Sequence, residues 1–290
     1  MSSFKLWVVG ARLRTLPLAI SPIAIGAGSA AAVQKFDLGL TLLALSVALF
    51  LQIGVNYAND YSDGIRGTDE HRVGPLRLTG SKSVKPQAVK FAAFLFFALA
   101  ALAGATIVLL TQHWWFIPVG IASIVAAWFY TGGKSPYGYA GLGELAVFIF
   151  FGWVATYGTA YIQIGQFDLN AFLGGTAAGL FASAVLMVNN IRDIETDAKV
   201  GKRTLAVKVG LKNAKRIYFA MLWAPMVILF PYPYLYPATI LAWVSILFVI
   251  PATLIARKPQ GPKDLILALK LTSFASLSFA LAFGFGLAQL

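Results

Sequence analysis

The residues best suited to chemistry lie in two short stretches, NYANDYSD at 56–63 and NNIRDIETD at 189–197. In a helix, residues i, i+4 and i+7 share a face. Gln52, Asn56, Asp60 and Asp63 form one such stripe, and Asn189 or Asn190, Asp193 and Asp197 form another. Carboxylates gathered at one place repel one another and require cations. Hard oxygen ligands without histidine or cysteine suit Mg²⁺, which takes one or two carboxylates together with phosphate oxygens and waters. Asp60, Asp63, Asp193 and Asp197 are the candidate metal ligands, with Asn56, Asn59, Asn189 and Asn190 as amide ligands or supports. Basic residues stand close by in the sequence: Arg66, Arg72, Arg77, Lys82, Lys134, Lys202 and Arg203. Acid beside base fits a diphosphate held by metal on one side and by cationic side chains on the other. The bland alternative is that the acids only neutralise basic loops. Two asparagine-led, face-aligned motifs argue against it.

These motifs must be positioned by the elements that precede them, and those are apolar. The 290 residues are 59% hydrophobic and 12% charged, with a mean hydropathy of +0.76. A soluble domain carries about 25% charged residues, so a bilayer is the expected solvent. A spanning helix needs about 20 mainly apolar residues. Nine spans are expected, at 15–33, 38–59, 89–110, 116–130, 142–162, 171–190, 217–230, 237–256 and 265–290. The fourth and seventh are short, and flanking aromatics (Trp114, Trp115, and PYPYLYP at 231–237) extend them toward the headgroups. The expected fold class is all-α, a polytopic membrane bundle in a single domain, 1–290. Within it, 38–110 and 171–230 read as two copies of one helix–loop–helix unit, each loop carrying an RLT or RTL element.

Charge gives the orientation. With nine spans, 22 of the 23 Lys and Arg fall on one side and only Lys35 on the other. The positive-inside rule then puts the N-terminus in the cytoplasm and the C-terminus outside. Of eleven acidic residues, only Asp37 and Asp168 lie outside. Both motifs therefore face the cytoplasm. The net charge of +12 reads as cationic loops rather than as a nucleic-acid surface. The absence of cysteine excludes thiolate chemistry, and the N-terminal residues lack a cleavable signal pattern.

At these residues the sequence resembles the UbiA superfamily of membrane prenyltransferases. Asn59-Asp60-x-x-Asp63 matches the family's first motif, Asp193-x-x-x-Asp197 its second, and Tyr130-x-x-x-Lys134 its short tyrosine–lysine element. The segments NDYSDGIRGTD, GPLRLT, YTGGKSPYGYAGLGE and NNIRDIETDAKVGKRTLAVKVG look most like the branch that prenylates 1,4-dihydroxy-2-naphthoate in menaquinone biosynthesis. The resemblance implies a nine-helix bundle with a central cavity in a bacterial-type cytoplasmic membrane. It implies Mg²⁺, and transfer of a polyprenyl chain from polyprenyl diphosphate to an aromatic acceptor. In this branch the acceptor loses CO₂ and the product is demethylmenaquinone. A 4-hydroxybenzoate acceptor is the alternative within the family.

Ionisation of an allylic diphosphate needs preorganised positive charge at the leaving group and shelter from water for the cation. Candidate diphosphate contacts are Arg66, Arg72, Lys134, Lys202 and Arg203; Tyr57, Tyr61 and Tyr130 are candidates to face the cation. Asp69, Glu70 and His71 are candidate bases, and Glu144, at the start of the fifth span, is a candidate for helix capping, for pairing with Lys134 or for catalysis. Small-residue runs at 26–32 and 174–179 could leave room for a prenyl tail or pack helices closely, and packing is the simpler expectation. Two other classes share features with this pattern. Asp60-Tyr-Ser-Asp63-Gly64 opens like a CDP-alcohol phosphotransferase motif but lacks its Ala-Arg pair and further aspartates. A transporter would place polar groups at mid-membrane, whereas these sit at one face.

Overall fold

A computed structural model describes residues 3–68 and 76–289. Asp69, Glu70, His71 and Arg72 lie outside the described residues. Among the described residues every regular element is a helix, with no strand. Helix α1 (Ser3–Ala11) continues through a 3-10 turn at Leu13–Thr15, and the segment Phe4–Thr15 meets helix α2 (Pro17–Ala32) at a bend of 50°. Within the first segment Arg12 takes the left-handed conformation with φ 52°. Pro17 then starts α2, where its missing N–H has no intrahelical partner to lose.

Helix α3 (Leu38–Ile65) is capped by Asp37, whose side chain accepts from the Leu40 amide at 2.8 Å. Its 28 residues extend about 42 Å at 1.5 Å per residue. That exceeds a hydrocarbon core of about 30 Å. The last turns therefore carry the first motif beyond the apolar stretch, and the helix runs past the expected end at 59. Helix α4 (Pro86–Thr111) packs along α3. Helix α5 (Phe116–Phe129) follows, and none of its residues is buried.

Helix α6 (Gly143–Ile164) is π-wound over Phe148–Tyr157. Helix α7 (Leu169–Arg192), capped by Asp168 through the Ala171 amide at 2.7 Å, is the central element. It is crossed by α6 at glycines: a Cβ on Gly152 would lie 2.6 Å from the Gly175 carbonyl oxygen. The run at 174–179 thus serves packing. So does Gly28 in the earlier run, where a Cβ would stand 2.3 Å from the Gly284 carbonyl oxygen. Short helix α8 (Ile194–Lys199) carries the end of the second motif. The helical stretch α9 (Leu205–Leu229) begins 12 residues before the expected span at 217, but Gly210 (φ 77°, ψ 160°) leaves the helical region and divides it into a short first helix and the longer one that follows. Helices α10 (Pro237–Arg257) and α11 (Pro262–Leu287) complete the bundle.

Among the described residues, seven helical stretches are long and apolar enough to cross a membrane, and the bent α1–α2 pair makes up to eight. Helix α5, with 14 residues, spans only about 21 Å and stands below that test. Length and composition alone therefore stop short of the expected nine. Two apolar cores flank a central cavity. One gathers α7, α9, α10 and α11 around Phe181, Tyr218 and Phe279. The other gathers α1, α3 and α4 around Tyr57, Leu78 and Phe97. Ile23, Ala44, Ile107 and Ile162 join α2, α3, α4 and α6 at the end of the cavity far from the motifs.

Candidate active site

The first motif sits on the last turns of α3. Asp60 is buried, and each of its oxygens accepts a backbone amide, Leu78 N at 2.8 Å and Thr79 N at 2.8 Å. This fixes the Arg77-Leu78-Thr79 segment against α3. Gly64 makes the approach feasible, because a Cβ there would lie 2.4 Å from Thr79 Cγ2. The anchored segment turns Arg77 inward, with its guanidinium 3.7 Å from Asp63. Asp63 also accepts from the Tyr139 hydroxyl at 2.5 Å and lies 3.3 Å from Lys202 Nζ. Lys202 precedes α9, so the first motif and the loop after the second motif meet at one carboxylate.

Tyr139 is held between charges. Lys202 Nζ lies 4.7 Å from its ring centroid and the Arg66 guanidinium 5.5 Å. Burial first, and then the Asp63 carboxylate, push its phenol well above the ordinary tyrosine range. Arg66 donates to the carbonyls of Thr131 and Gly133, tying α3 to the loop after α5. Thr131 in turn donates to Asn59 Oδ1 at 2.8 Å. In the second motif, Arg192 embraces Asp193 through two contacts of 2.7 and 2.6 Å and reaches Asn189 Oδ1 at 3.0 Å.

A cavity of about 510 Å³ opens beside these groups. Its polar end is formed by Arg12, Arg14, Gln52, Asn56, Asn59, Arg77 and Asn189, and Tyr130 lies on the same wall. The remainder is apolar and runs between α2, α3, α4, α5 and α6. On α3 the lining residues Ala44, Ala48, Leu51, Val55 and Asn59 follow the helical repeat, so one stripe faces the cavity along about 22 Å.

Several expected residues are placed elsewhere. Tyr57 is buried against α1, donating to the Trp7 carbonyl at 2.8 Å, and Tyr61 stacks on Trp128 at 6.1 Å. Each neighbours a stripe residue and so points about 100° around the helix, away from the cavity. Neither meets a cation formed there. Asn56 reaches the cavity, but its amide nitrogen is bound to the Ala11 carbonyl at 2.9 Å and to Thr15 Oγ1 at 3.1 Å. Asn190 turns to Glu144 at 2.9 Å, so Glu144 pairs with Asn190 and not with Lys134. Lys134 and Arg203 are exposed and do not line the cavity; Arg203 contributes its backbone N–H to Tyr139 O at 2.9 Å.

Other site residues escaped the sequence reading. Arg12 and Arg14 looked like ordinary loop charges, but the left-handed turn at Arg12 brings both to the cavity. Tyr139 lies in a glycine-rich loop with no helical period to mark its direction.

The donor set suits Mg²⁺ of one kind. Among the described residues, no three His, Cys, Asp or Glu side chains cluster closely enough to hold a metal alone. Carboxylates and amide oxygens at the rim of a cationic cavity fit an ion whose coordination is completed by phosphate and water.

Residues 19–274 match the UbiA prenyltransferase family. The chain belongs to this family. It is 47% identical over 282 residues to the 1,4-dihydroxy-2-naphthoate octaprenyltransferase of Mycobacterium tuberculosis, covering 97% of this chain and 96% of that one. The enzyme of the same name from Haemophilus influenzae is 37% identical, covering 98% and 96%. Among solved structures, a UbiA homolog from Archaeoglobus fulgidus bound to GPP and Mg²⁺ superposes with a TM-score of 0.70 at 16% identity, covering 98% of this chain and all of that one. An apo UbiA homolog from Aeropyrum pernix K1 gives 0.71 at 17% identity, covering 95% and 97%. The all-helical fold of the family is therefore the fold of this chain.

Proposed function

We propose that this UbiA-family protein transfers a polyprenyl chain from polyprenyl diphosphate to 1,4-dihydroxy-2-naphthoate, releasing diphosphate and CO₂ and giving demethylmenaquinol, the reduced form of demethylmenaquinone. The observation that carries the reading is the cavity: cationic and amide side chains beside the motif aspartates at one end, and an apolar tube beyond. A prenyl diphosphate has the same division. Relatives bearing the naphthoate name at 47% and 37% identity support the acceptor.

The residues divide the work as follows. Asp60 holds the Arg77 segment in place, and Arg77, Lys202, Arg12 and Arg14 supply positive charge where the diphosphate leaves. Such charge is fixed before reaction and stabilises the developing anion without reorganising. Asp63, Asp193 and Asp197, with Asp60 behind them, would hold Mg²⁺, which when bound neutralises diphosphate oxygens and assists departure of the leaving group. The apolar walls exclude water from the allylic cation. Tyr130, on the cavity wall beside Tyr137, supplies an aromatic ring to face it.

The acceptor chemistry balances without a base at the alkylated carbon. The ring's electron pair forms the new C–C bond. The bond to the carboxylate then breaks, CO₂ leaves, and its electron pair restores the aromatic ring. A 4-hydroxybenzoate acceptor would instead have to lose a ring proton to some base.

In the membrane we place α5 as the shortest of nine spans, its ends extended by Trp114 and Trp115 outside and by Tyr130 within. The N-terminus and both motifs face the cytoplasm and the C-terminus lies outside. We read residues 1–290 as one domain, with 38–110 and 171–230 as its repeated units. The test is a paired assay of purified protein with Mg²⁺ and a prenyl diphosphate. Prenylation of 1,4-dihydroxy-2-naphthoate is expected; turnover of 4-hydroxybenzoate in its place would overturn the acceptor assignment and leave the fold and site standing.

A further inference from the structure

Glycine is the poorest helix former after proline, so a glycine inside a helix needs a reason. Most helical glycines here have one: a side chain at Gly28, Gly54, Gly152, Gly179 or Gly284 would collide with a neighbouring helix. Gly104 on α4 and Gly120 on α5 do not. A Cβ at either meets nothing within 4 Å, neither has a positive φ, and both line the cavity. They also lie at similar depth. Gly104 is about 10 Å before the α4 end at Thr111, and Gly120 about 6 Å after the α5 start at Phe116.

Helix α5 is fastened at its ends. At one end Trp115 and Phe116 meet Tyr161 of α6 at 5.1 and 6.0 Å. At the other, Trp128 meets Phe94 of α4 at 4.8 Å and Tyr61 of α3 at 6.1 Å. Between these contacts α5 lines the cavity with Gly120 and Ser123 among larger residues such as Ile117 and Ile121, and α4 lines it with Ala101, Gly104 and Ala105. Open space next to both glycines marks the place where the two helices leave room beside the cavity. A long polyprenyl chain exceeds a tube of about 22 Å and has to leave it through a wall, whereas a geranyl chain does not.

We propose that the tail of a long donor leaves the cavity between α4 and α5, past Gly104 and Gly120, and that these two glycines set the tolerance for donor length. The inference rests on the prenyl-transfer reading. It is tested with Gly104→Leu, Gly120→Leu and the double variant, reconstituted in liposomes with Mg²⁺ and the naphthoate acceptor. Initial rates are compared for geranyl and octaprenyl diphosphate. The double variant is expected to keep geranyl turnover within about twofold of the parent and to lose octaprenyl turnover by about tenfold or more, since a filled apolar channel discriminates by size. Unchanged octaprenyl turnover overturns the inference, and so does an equal loss with both donors. Gly158→Leu fills the α6 wall of the same cavity; if it alone lowers octaprenyl turnover, the tail leaves there instead. Failure of the parent protein with both donors would overturn the prenyl-transfer reading itself, a different outcome from any of these.

Discussion

Lys202 Nζ stands 3.3 Å from Asp63 Oδ1, so the end of α3 and the approach to α9 share one buried ion pair. Each half of the chain contributes one partner. If the pair acts as one unit, Asp63→Asn and Lys202→Met should each lower kcat/KM for the prenyl diphosphate by about 10²-fold, the scale of losing one preorganised charge contact. The double variant should fall no further than the worse single variant. Steady-state kinetics on the three proteins checks this, and fully additive losses would show that the two residues act separately.

Asp60 and Asp63 are three residues apart, yet the structure gives them different tasks. Asp60 accepts two backbone amides, and an asparagine there would turn an N–H toward one of them. Asp60→Asn should therefore release the 77–80 segment, with a loss of about 1–3 kcal/mol for the orphaned group. Hydrogen exchange at the Leu78 and Thr79 amides should rise, and turnover should fall with it. Asp63→Asn should lose turnover while those amides stay protected.

Tyr139 donates to Asp63, and burial with that carboxylate raises its phenol above the ordinary value. A raised folded value means the protonated phenol stabilises the protein below the ordinary tyrosine value, and that contribution is lost as pH rises through the raised one. Activity should show no alkaline loss from Tyr139 near pH ~10. In an absorbance titration, taken as the difference from Tyr139→Phe, Asp63→Asn should bring ionisation to lower pH. An unchanged titration would mean that Asp63 does not govern the phenol.

How much of this was legible beforehand follows from where each residue lies. The stripe Gln52–Asn56–Asp60–Asp63 could be read because helical period fixes direction, and the structure keeps it on one helix. Period also explains the misplaced tyrosines: Tyr57 and Tyr61 share the motif but not its face. Loops carry no period. Hence Lys202 and Arg203, adjacent in sequence, part company, one buried against Asp63 and the other exposed. Arg12 depended on a backbone turn that hydropathy does not reveal. The short helix ahead of Gly210 is hidden in the sequence because its lysine and the charges that follow look like a loop.

Metal removal separates two kinds of site. With no protein cage of three or more His, Cys, Asp or Glu ligands among the described residues, chelation should abolish turnover and leave Tm unchanged when no donor is present. Donor and Mg²⁺ together should raise Tm, and neither alone should do so to the same extent. A large fall in Tm on chelation alone would indicate a structural metal.

The central claim is that one cavity joins prenyl transfer to loss of the acceptor's carboxylate. It is tested most directly by supplying 1,4-dihydroxy-2-naphthoate labelled in the carboxylate and measuring CO₂ and diphosphate from the same reaction. The account predicts equal amounts of both, released in parallel, and neither from Asp63→Asn. Diphosphate release with no labelled CO₂, or prenylated product that retains the label, would contradict it.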